Sequence, residues 1–580
     1  MNVLKKIRPV YLLIAVVAAA LMAYGLWTSP AAQPVDAEGF SSARVVEDIR
    51  VISKEHHSVA PEHTEARAQV REYLAERLVG LGADTLKRFH YDSLKGPENK
   101  HVEYTFDVEN LVAEFHPAEK SKDTPYLMFV AHYDSRYAQI MPEDTVWSKG
   151  AADDGYGVGV TLETLSQLLK KKADWKQGVK VLFTDAEEVG MVGMKAQWAE
   201  NKEVFDNVGL MINLEARGPY GPCLLFETSP SNEKIMELYS KAAEYKYTYS
   251  LTTVVYTFMP NFTDFTIVKD AIPGMNFSTV ADVNHYHTDK DNFDNVNEAS
   301  IQHYGAQVLP VAMEYVTNPE YSDKEYFKSE EDTVNFTVPA LGLFNFSKTT
   351  YLVINVILFV LFLCLFGLEG VRGRLKSVKV FKTSVKTLCI AVVALLAGIL
   401  LTYLCCLIAG AEFKMFGVIH GVQFDNVAMI IFMVLLAAVL VLVYMKGRSK
   451  AVRGSMNSMR SSASVTAATN YANNALYASL ALMLILNLAL LLAIGENFMF
   501  MIPFAFATVA MVLYRFTSLR LWLLVAIFAV LLHAFSFLFA LSMALTIGAF
   551  GAVMMIAAID LMMLIPMADL YMMQSGKHRS

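Results

Sequence analysis

Charge is scarce in this sequence. Only 18% of its 580 residues are Asp, Glu, Lys or Arg, against 54% hydrophobic, whereas a soluble domain carries about 25% charged residues. That shortage excludes a disordered chain, a coiled coil and a nucleic-acid-binding tail, and it argues against a purely soluble protein. Cysteine is scarcer still. Of five cysteines only Cys223 precedes residue 348, so that part of the chain contains no internal disulfide. Cys364, Cys389, Cys405 and Cys406 sit in apolar runs, where packing is their default role. The C-terminal part lacks acid. Residues 348–580 hold 6 Asp/Glu against 17 Lys/Arg, a net of +11, whereas residues 1–347 hold 50 against 32, a net of −18. One part reads as an acidic folded domain, the other as membrane with basic loops. No internal repeat is visible, and the length allows two or more domains.

Residues 9–28 form an apolar run behind Lys5, Lys6 and Arg8. A cleaved signal peptide and a retained anchor compete here. The length of the run and the lack of a clean Ala-x-Ala site favour an anchor, with Ala31 and Ala32 keeping cleavage open. Further runs occupy 349–368, 387–409, 426–445, 475–495, 497–514, 521–541 and 544–566. Most reach or approach the roughly 20 residues that cross a hydrocarbon layer. The run 497–514 is short enough to be re-entrant, and the boundary between the last two is soft. With eight spans, every basic cluster falls on one side: before the first span, at 372–386, at 446–460, at Arg515 and Arg520, and at Lys577 and Arg579. The positive-inside rule makes that side cytoplasmic. The expected organisation is an N-terminal anchor (1–30), an extracytoplasmic domain (31–347) and a membrane domain of about seven helices (348–580).

Within the polar part, residues 40–56 and 62–80 read as helices, the second from Val70, Leu74, Leu78 and Leu81 at helical spacing. Short apolar runs at 126–131, 179–184 and 209–214 read as buried strands. Helices are expected near 157–171, 191–201, 231–246 and 297–316, and residues 92–101 read as a loop. This alternation predicts an α/β fold with a mixed, largely parallel sheet flanked by helices, followed by an all-helical membrane domain. Ligands of such sheets bind beyond the carboxyl ends of the strands.

Chemistry-bearing residues gather at those ends. The first strand runs into His132-Tyr133-Asp134, where i and i+2 share a side and Asp134 could orient His132. Taken alone, the triplet is as well read as a surface histidine beside an aspartate. Gly150-Ala151-Ala152-Asp153-Asp154-Gly155 is a tight loop whose acids could bind a cation or cap a helix. The next strands run into Asp185-Ala186-Glu187-Glu188 and Glu215, and His285-Tyr286-His287-Thr288 follows the apolar run at 275–280. Adjacent buried acids are costly without a cation. Mixed nitrogen and oxygen donors suit zinc, with cobalt or manganese as alternatives.

In order and spacing, these motifs resemble those of the co-catalytic zinc aminopeptidases of the M28 peptidase family. The layout is similar to the membrane-embedded branch that includes the endoplasmic reticulum metallopeptidase and the fungal vacuolar membrane protease. The resemblance covers residues 40–320 through their motifs and the membrane half only in layout. It implies two Zn2+ ions, with Asp153 bridging, His132 and Glu215 completing one site, and Glu188 and His287 the other. It makes Glu187 the general base toward a water activated by the two ions. It gives Asp134 the task of holding His132 in its tautomer, and Tyr286 a hydrogen bond to the developing oxyanion. Glu215 stands where many members have Asp, and its longer stem could change the metal spacing. Thr263-Asp264-Phe265 resembles a substrate-side motif, with Phe265 where His is common. Arg217 could contact substrate or a neighbouring acid. His285 reads as a rim residue, and His56, His57, His63, His90, His101 and His116 as surface or core.

The implied activity is removal of N-terminal residues from peptides. A carboxypeptidase or dipeptidase is the alternative, and a noncatalytic transporter or receptor is the competing class, with His533 and Asp560 as the ionisable groups within the spans. The expected partners are a peptide substrate and the lipid bilayer, with no nucleic acid. A homo-oligomer or a membrane partner is plausible from the number of spans. The short N-terminal region fits a bacterial cell membrane, with a eukaryotic endoplasmic reticulum or vacuolar membrane as the alternative. Sequons at Asn261, Asn276, Asn335 and Asn345 do not decide between them.

Overall fold

The computed structural model describes the chain except residues 1, 98–101, 103, 138, 141–144, 258–260, 457–460 and 574–580. His101, Arg460, Lys577 and Arg579 therefore lie outside the described residues. The chain forms two compact units. One comprises Trp27–Thr337 with Gly342–Lys348, and the rest of the described chain forms the other.

The first unit is built on a seven-stranded sheet. Its strands are β1 (Thr85–Lys95), β2 (Thr105–Phe115), β3 (Tyr126–His132), β4 (Gly178–Thr184), β5 (Val208–Ala216), β6 (Tyr220–Thr228) and β7 (Gly274–Ala281). The spatial order is β1-β2-β4-β3-β5-β7-β6. The four central strands, β4, β3, β5 and β7, run parallel, and antiparallel strands close both edges. These four are buried along their whole length. That is why they read as unbroken apolar runs rather than alternating ones. Residues 92–95, expected in a loop, instead continue β1 past an irregularity at Tyr91/Leu94. There Ser93 adopts φ +55° and its N–H is taken by the Asp107 carboxylate at 2.9 Å.

Helices cover both faces. They are α2 (Ser42–Ile52), α3 (Thr64–Gly80), α4 (Gly155–Leu169), α5 (Val192–Glu200), α6 (Glu233–Ala242), α7 (Ser250–Thr257), α8 (Asp264–Val268) and α9 (Glu298–Thr317), after α1 (Asn2–Leu26) of the other unit. Leu127, Phe129 and Ala131 of β3 point into one core with Val45 and Ile49 of α2, Leu162 of α4 and Val308 of α9. Met128 and Val130 point into the other with Met194 of α5 and Phe265 of α8. The period of two along one strand thus serves two layers. Val70, Leu74 and Leu78 of α3 are buried as their spacing predicts. Asn276, in the middle of β7, is fully buried, donates to Glu227 and accepts from Asn213, so its sequon is closed to a glycan.

The second unit contains α1 and α10 (Lys348–Val371), α11 (Ser377–Ala409), α12 (Asp425–Met456), α13 (Ser461–Ile494), α14 (Phe498–Thr517), α15 (Leu521–Leu545) and α16 (Phe550–Met572). Seven segments are long and apolar enough to cross a membrane. The last, Leu521–Met572, is broken by a 3-10 turn at Thr546–Ala549, which makes eight helices among the described residues. α14 is continuous for 20 residues, about 30 Å at 1.5 Å per residue, which is spanning length rather than re-entrant. Where α11 meets α16, a Cβ on Gly398 would lie 2.7 Å from the Gly551 backbone, so small residues set that crossing. All cysteines are free.

Candidate metal centre

The carboxyl ends of β3, β4, β5 and β7 deliver the polar residues to one place. His132 is the last residue of β3, paired with Thr184 at the end of β4. Glu187 and Glu188 follow β4, Glu215 lies near the end of β5, and His287 follows β7. The loop before α4 adds Asp153. The two adjacent acids of that loop divide their work. Asp154 caps α4 by accepting the N–H of Gly157 at 2.9 Å, and any side chain at Gly157 would collide with that carboxylate. Asp153 points instead toward the histidines, and the peptide joining the two is cis.

Two groups of three result, and they share Asp153. His132, Asp153 and Glu215 offer ligand atoms within 4.8 Å of one another, and so do Asp153, Glu188 and His287. His132 Nε2 lies 3.2 Å from Asp153 Oδ1 and 3.7 Å from Glu215 Oε2. His287 Nε2 lies 3.3 Å from Asp153 Oδ2 and 3.2 Å from Glu188 Oε2. The Nε2 of His287 and the Oε1 of Glu188 are nonetheless buried without a hydrogen bond. Buried polar atoms left this way are costly. Imidazole nitrogens and carboxylate oxygens converging on two points fit divalent cations of the zinc type. His287 adopts φ +60°, a left-handed conformation that costs an L-residue about 1–2 kcal/mol.

The surrounding contacts fix these groups. The Asp134 carbonyl lies 3.0 Å from His132 Nδ1 and its carboxylate 3.5 Å, so the main chain makes the closer contact with the imidazole. The carboxylate is engaged elsewhere, accepting the N–H groups of Glu187 and Glu188 at 2.9 and 3.3 Å. Asp134 thereby ties the end of β3 to the glutamate loop. Asn213, two residues before Glu215 on the same strand face, donates to Glu215 Oε1 at 3.3 Å. Tyr304 of α9 donates its hydroxyl to the Glu215 carbonyl.

Two contributors carry no sequence signal of their own. Asp291 accepts the N–H groups of Ala152 and Asp153 at 2.7 and 3.3 Å and the Ser148 hydroxyl at 2.9 Å, which fixes the Asp153 loop from behind. Arg136 donates to the Glu188 carboxylate at 3.0 Å and to its carbonyl at 2.8 Å. Sequence alone does not separate either from an ordinary surface charge. Asn213 could have been found from its i, i+2 relation to Glu215.

The electrostatics are those of crowded buried acids. Burial raises Glu187 well above the usual carboxylate range; the charge of His132 opposes this, and Asp264, Glu188 and Asp134 add to it. Burial also raises Glu215. His132 is raised because hydrogen bonds to Asp134 and Asp153 outweigh its burial. Glu188 moves the other way, as His287 and Arg136 overcome burial. Burial pushes Asp291 up to about 7. A dication between the ligands would bring the raised ones down.

The remaining candidates fall near or away from this centre. The Tyr286 ring stacks on His287 with centroids 3.5 Å apart. Asp264 is buried at the start of α8 and accepts the Thr184 hydroxyl, at the base of the Glu187 loop. Arg217 lies over the Tyr286 ring, 5.9 Å from its centroid, and contacts no acid among the described residues. His285 sits against Asp282 at 3.1 Å and is not in either triad. His57 is buried behind the His132 turn, with its pKa lowered to about 4 by burial. His56 and His63 stack on each other, while His90 and His116 contact Asp92 and Lys120 on exposed surface. His533 and Asp560 are buried in α15 and α16 of the other unit.

Residues 110–312 match the family model described as Peptidase family M28. The chain is 29% identical over 224 residues to endoplasmic reticulum metallopeptidase 1 of Mus musculus, covering 37% of this chain and 23% of that protein. It is 26% identical over 378 residues to the vacuolar membrane protease of Candida dubliniensis, covering 61% of this chain and 36% of that protein. The chain thus spans well under half the length of these curated relatives. Among solved structures, the glutaminyl cyclase of Porphyromonas gingivalis aligns with a TM-score of 0.39 at 20% identity, over 48% of this chain and 100% of that one. A leucine aminopeptidase precursor from Bacteroides thetaiotaomicron aligns with a TM-score of 0.38 at 18% identity, over 48% and 99%.

Proposed function

From the premise that residues 110–312 form a peptidase family M28 domain, we propose that this chain is a membrane-anchored zinc metallopeptidase that removes N-terminal residues from peptides. The observation that carries the reading is the pair of triads sharing Asp153, with Glu187 beside them. In this reading His132, Asp153 and Glu215 would hold one Zn2+ ion, and Asp153, Glu188 and His287 would hold the other. Ions held there supply Lewis acidity and a nucleophilic water at neutral pH. Glu187, next to Glu188 in the loop after β4, would take the proton of the attacking water and return it to the leaving amine. Tyr286, held against His287, donates a hydrogen bond to the oxygen on which charge develops. Asp134 keeps His132 and the Glu187–Glu188 loop in register, and Asn213 directs Glu215.

The eight apolar helices support a multi-pass membrane protein. In this reading the peptidase unit (31–347) lies on the extracytoplasmic side of a bacterial cell membrane, with 1–30 as anchor and 348–580 as the membrane domain, and the basic loops support that orientation. The endoplasmic reticulum or a vacuole, named for the curated relatives, is the alternative compartment. A carboxypeptidase or dipeptidase would use the same centre. A noncatalytic transporter or receptor is the second reading, favoured by the buried Asp560, whose Oδ1 has no hydrogen-bond partner among the described residues.

The test is cleavage of Leu-Gly-Gly and of its N-acetylated form by the purified full chain with zinc, followed by chromatography of the products. Hydrolysis of the free peptide alone, lost on chelation and restored by zinc, is the expected result. Cleavage of only the blocked peptide would end the aminopeptidase reading. No cleavage of either would favour the noncatalytic one.

A further inference from the structure

Two arginines approach the metal centre, and their situations differ. Arg136 is neutralised, with its Nη1 on the Glu188 carboxylate at 3.0 Å and the Glu188 carbonyl at 2.8 Å. Arg217 has no such partner. It follows Glu215 by two residues and its main-chain N–H is fixed on the Thr279 carbonyl at 2.9 Å, so the residue is locked at the site end of β5 and β7. The turn that follows packs closely on β7, since a Cβ on Gly218 would lie 2.3 Å from the Ala281 carbonyl oxygen. Among the described residues the guanidinium forms no ion pair and no side-chain hydrogen bond, and its Nε is closed to solvent. It lies 5.9 Å from the centroid of Tyr286, the ring stacked on His287.

A second polar group nearby is also unsatisfied. The hydroxyl of Tyr256 in α7 is buried without a hydrogen-bond partner. It is within electrostatic reach of Glu227, Glu215, Glu187 and Arg217. Arg217 is half-buried, and its Nε–H, closed to water without an acceptor, is costly, a cost recovered when an anion arrives. A planar five-donor fork suits a carboxylate, and a phenolic hydroxyl can add one further donor. A neutral aliphatic side chain would leave both groups unpaired. Neither of the two triads includes Arg217, so it is not one of the candidate ligands.

We propose that Arg217, with Tyr256, forms a carboxylate-binding subsite, and that the preferred substrates present a carboxylate beside the scissile amide. This rests on the peptidase reading. Two sources carry that chemistry in a peptide: an acidic side chain next to the cleaved bond, and the C-terminal carboxylate of a dipeptide.

The experiment measures kcat/KM of the zinc-loaded full chain on matched pairs. Glu-Gly-Gly against Gln-Gly-Gly isolates the side chain, and Leu-Gly against Leu-Gly-amide isolates the C-terminal carboxylate. One pair should favour the carboxylate by about 10- to 100-fold, the worth of a charge-assisted hydrogen bond in a buried site. R217Q should collapse that ratio toward one, and R217K should retain part of it. Binding of glutarate against glutaramide is measured on wild type and R217Q by calorimetry. Both proteins carry the same ions, so affinity lost only in R217Q belongs to the arginine. Should no peptide be turned over, the peptidase reading fails while glutarate binding still decides the subsite. Ratios near one for both wild-type pairs would overturn the proposal. So would an equal loss on all substrates in R217Q, which would mean that Arg217 acts only through the position of Tyr286.

Discussion

The two units bury charge by opposite means. In the α/β unit the acids are concentrated: Asp153, Glu188 and Glu215 converge with His132 and His287 on two points at one end of the sheet. His287 Nε2 and Glu188 Oε1 are buried without a hydrogen bond, and burial holds Glu187 and Glu215 toward protonation. In the helical unit the acids are dispersed, and two of them pair across helices. Glu369 of α10 meets Arg515 of α14 at 3.0 Å, and Asp569 of α16 meets Arg448 of α12 at 2.7 Å and the Tyr444 hydroxyl at 2.8 Å. Such pairs break even against desolvation when their geometry is good, and they tie helices together. Convergent, incompletely satisfied charge belongs to a centre that takes up cations. Paired charge belongs to a scaffold.

The sharpest way to break this contrast lies in the two adjacent glutamates. Glu188 is held by Arg136 and faces His287, whereas no described side chain donates to the Glu187 carboxylate. E187Q should keep both ions and lower peptide turnover by about 10²–10⁴-fold, the range of positioned acid–base catalysis. E188Q should lose one ion instead. Metal content and turnover measured on both purified variants decide it: an ion lost from E187Q and two kept in E188Q would reverse the assignment. The pH dependence has a definite sign. A base with a raised pKa works only when deprotonated, so kcat/KM of the wild type should fall as pH drops through that pKa. Bound cations will place the limb lower than in the metal-free protein.

The two units were also legible to different degrees. Parallel strands buried on both faces advertise themselves as apolar runs, so β3, β4 and β5 and the polar residues at their ends stand out in sequence. Antiparallel β1 carries exposed charged residues such as Arg88 and Asp92, and its bulge at Ser93 hides its last residues in a loop-like stretch. Four of the five candidate ligands could be found because each follows an apolar run, and the fifth, Asp153, because it lies in a glycine-flanked acidic loop before a helix. Asp291 and Arg136 could not, since their partners are a main-chain loop and a side chain brought close only by folding. In the helical unit, hydropathy marks the spans at once but does not show which loop arginines reach back to an acid. Arg448 and Arg515 read as orientation charges in sequence and turn out to be ion-pair partners. The count of eight helices needs the 3-10 break at Thr546–Ala549, which no charge or proline marks.

Asp291 tests whether the metal centre depends on the charge behind it. Its carboxylate gathers Ala152 N, Asp153 N and the Ser148 hydroxyl, and so aims the shared ligand Asp153. D291N keeps the size and one acceptor but not both. We expect about 10- to 100-fold weaker zinc binding, the usual cost of removing a partner that orients a ligand. Zinc affinity is measured by competition with a chromogenic chelator. Turnover at saturating zinc should recover most of the loss, because the ligand itself remains. A variant with wild-type affinity would show that the loop is held by its backbone alone.

The smallest effect is expected in the helical unit, and it bears on whether that unit is a scaffold. Asp560 is buried in α16, with Oδ1 lacking a hydrogen-bond partner among the described residues, and His533 is buried in α15 with its ring stacked on Phe537. Neither belongs to an ion pair among the described residues, so they are the exceptions to the pairing seen elsewhere in the bundle. If the bundle only holds helices together, D560N removes an isolated ionisable group and leaves a side chain of the same shape. Effects of changes in a separately packed unit add to within about 0.5 kcal/mol, roughly twofold in rate. Turnover of a short soluble peptide by D560N and by H533Q should therefore stay within about that factor of wild type. Unfolding of the D560N bundle in detergent, followed by loss of helical signal, should not come earlier, since burying an amide is less costly than burying a carboxylate. A large loss of turnover at unchanged zinc content would mean that the helical unit takes part in the reaction. Normal peptidase activity with a lost cellular phenotype would assign the solitary pair a transport or sensing task of its own.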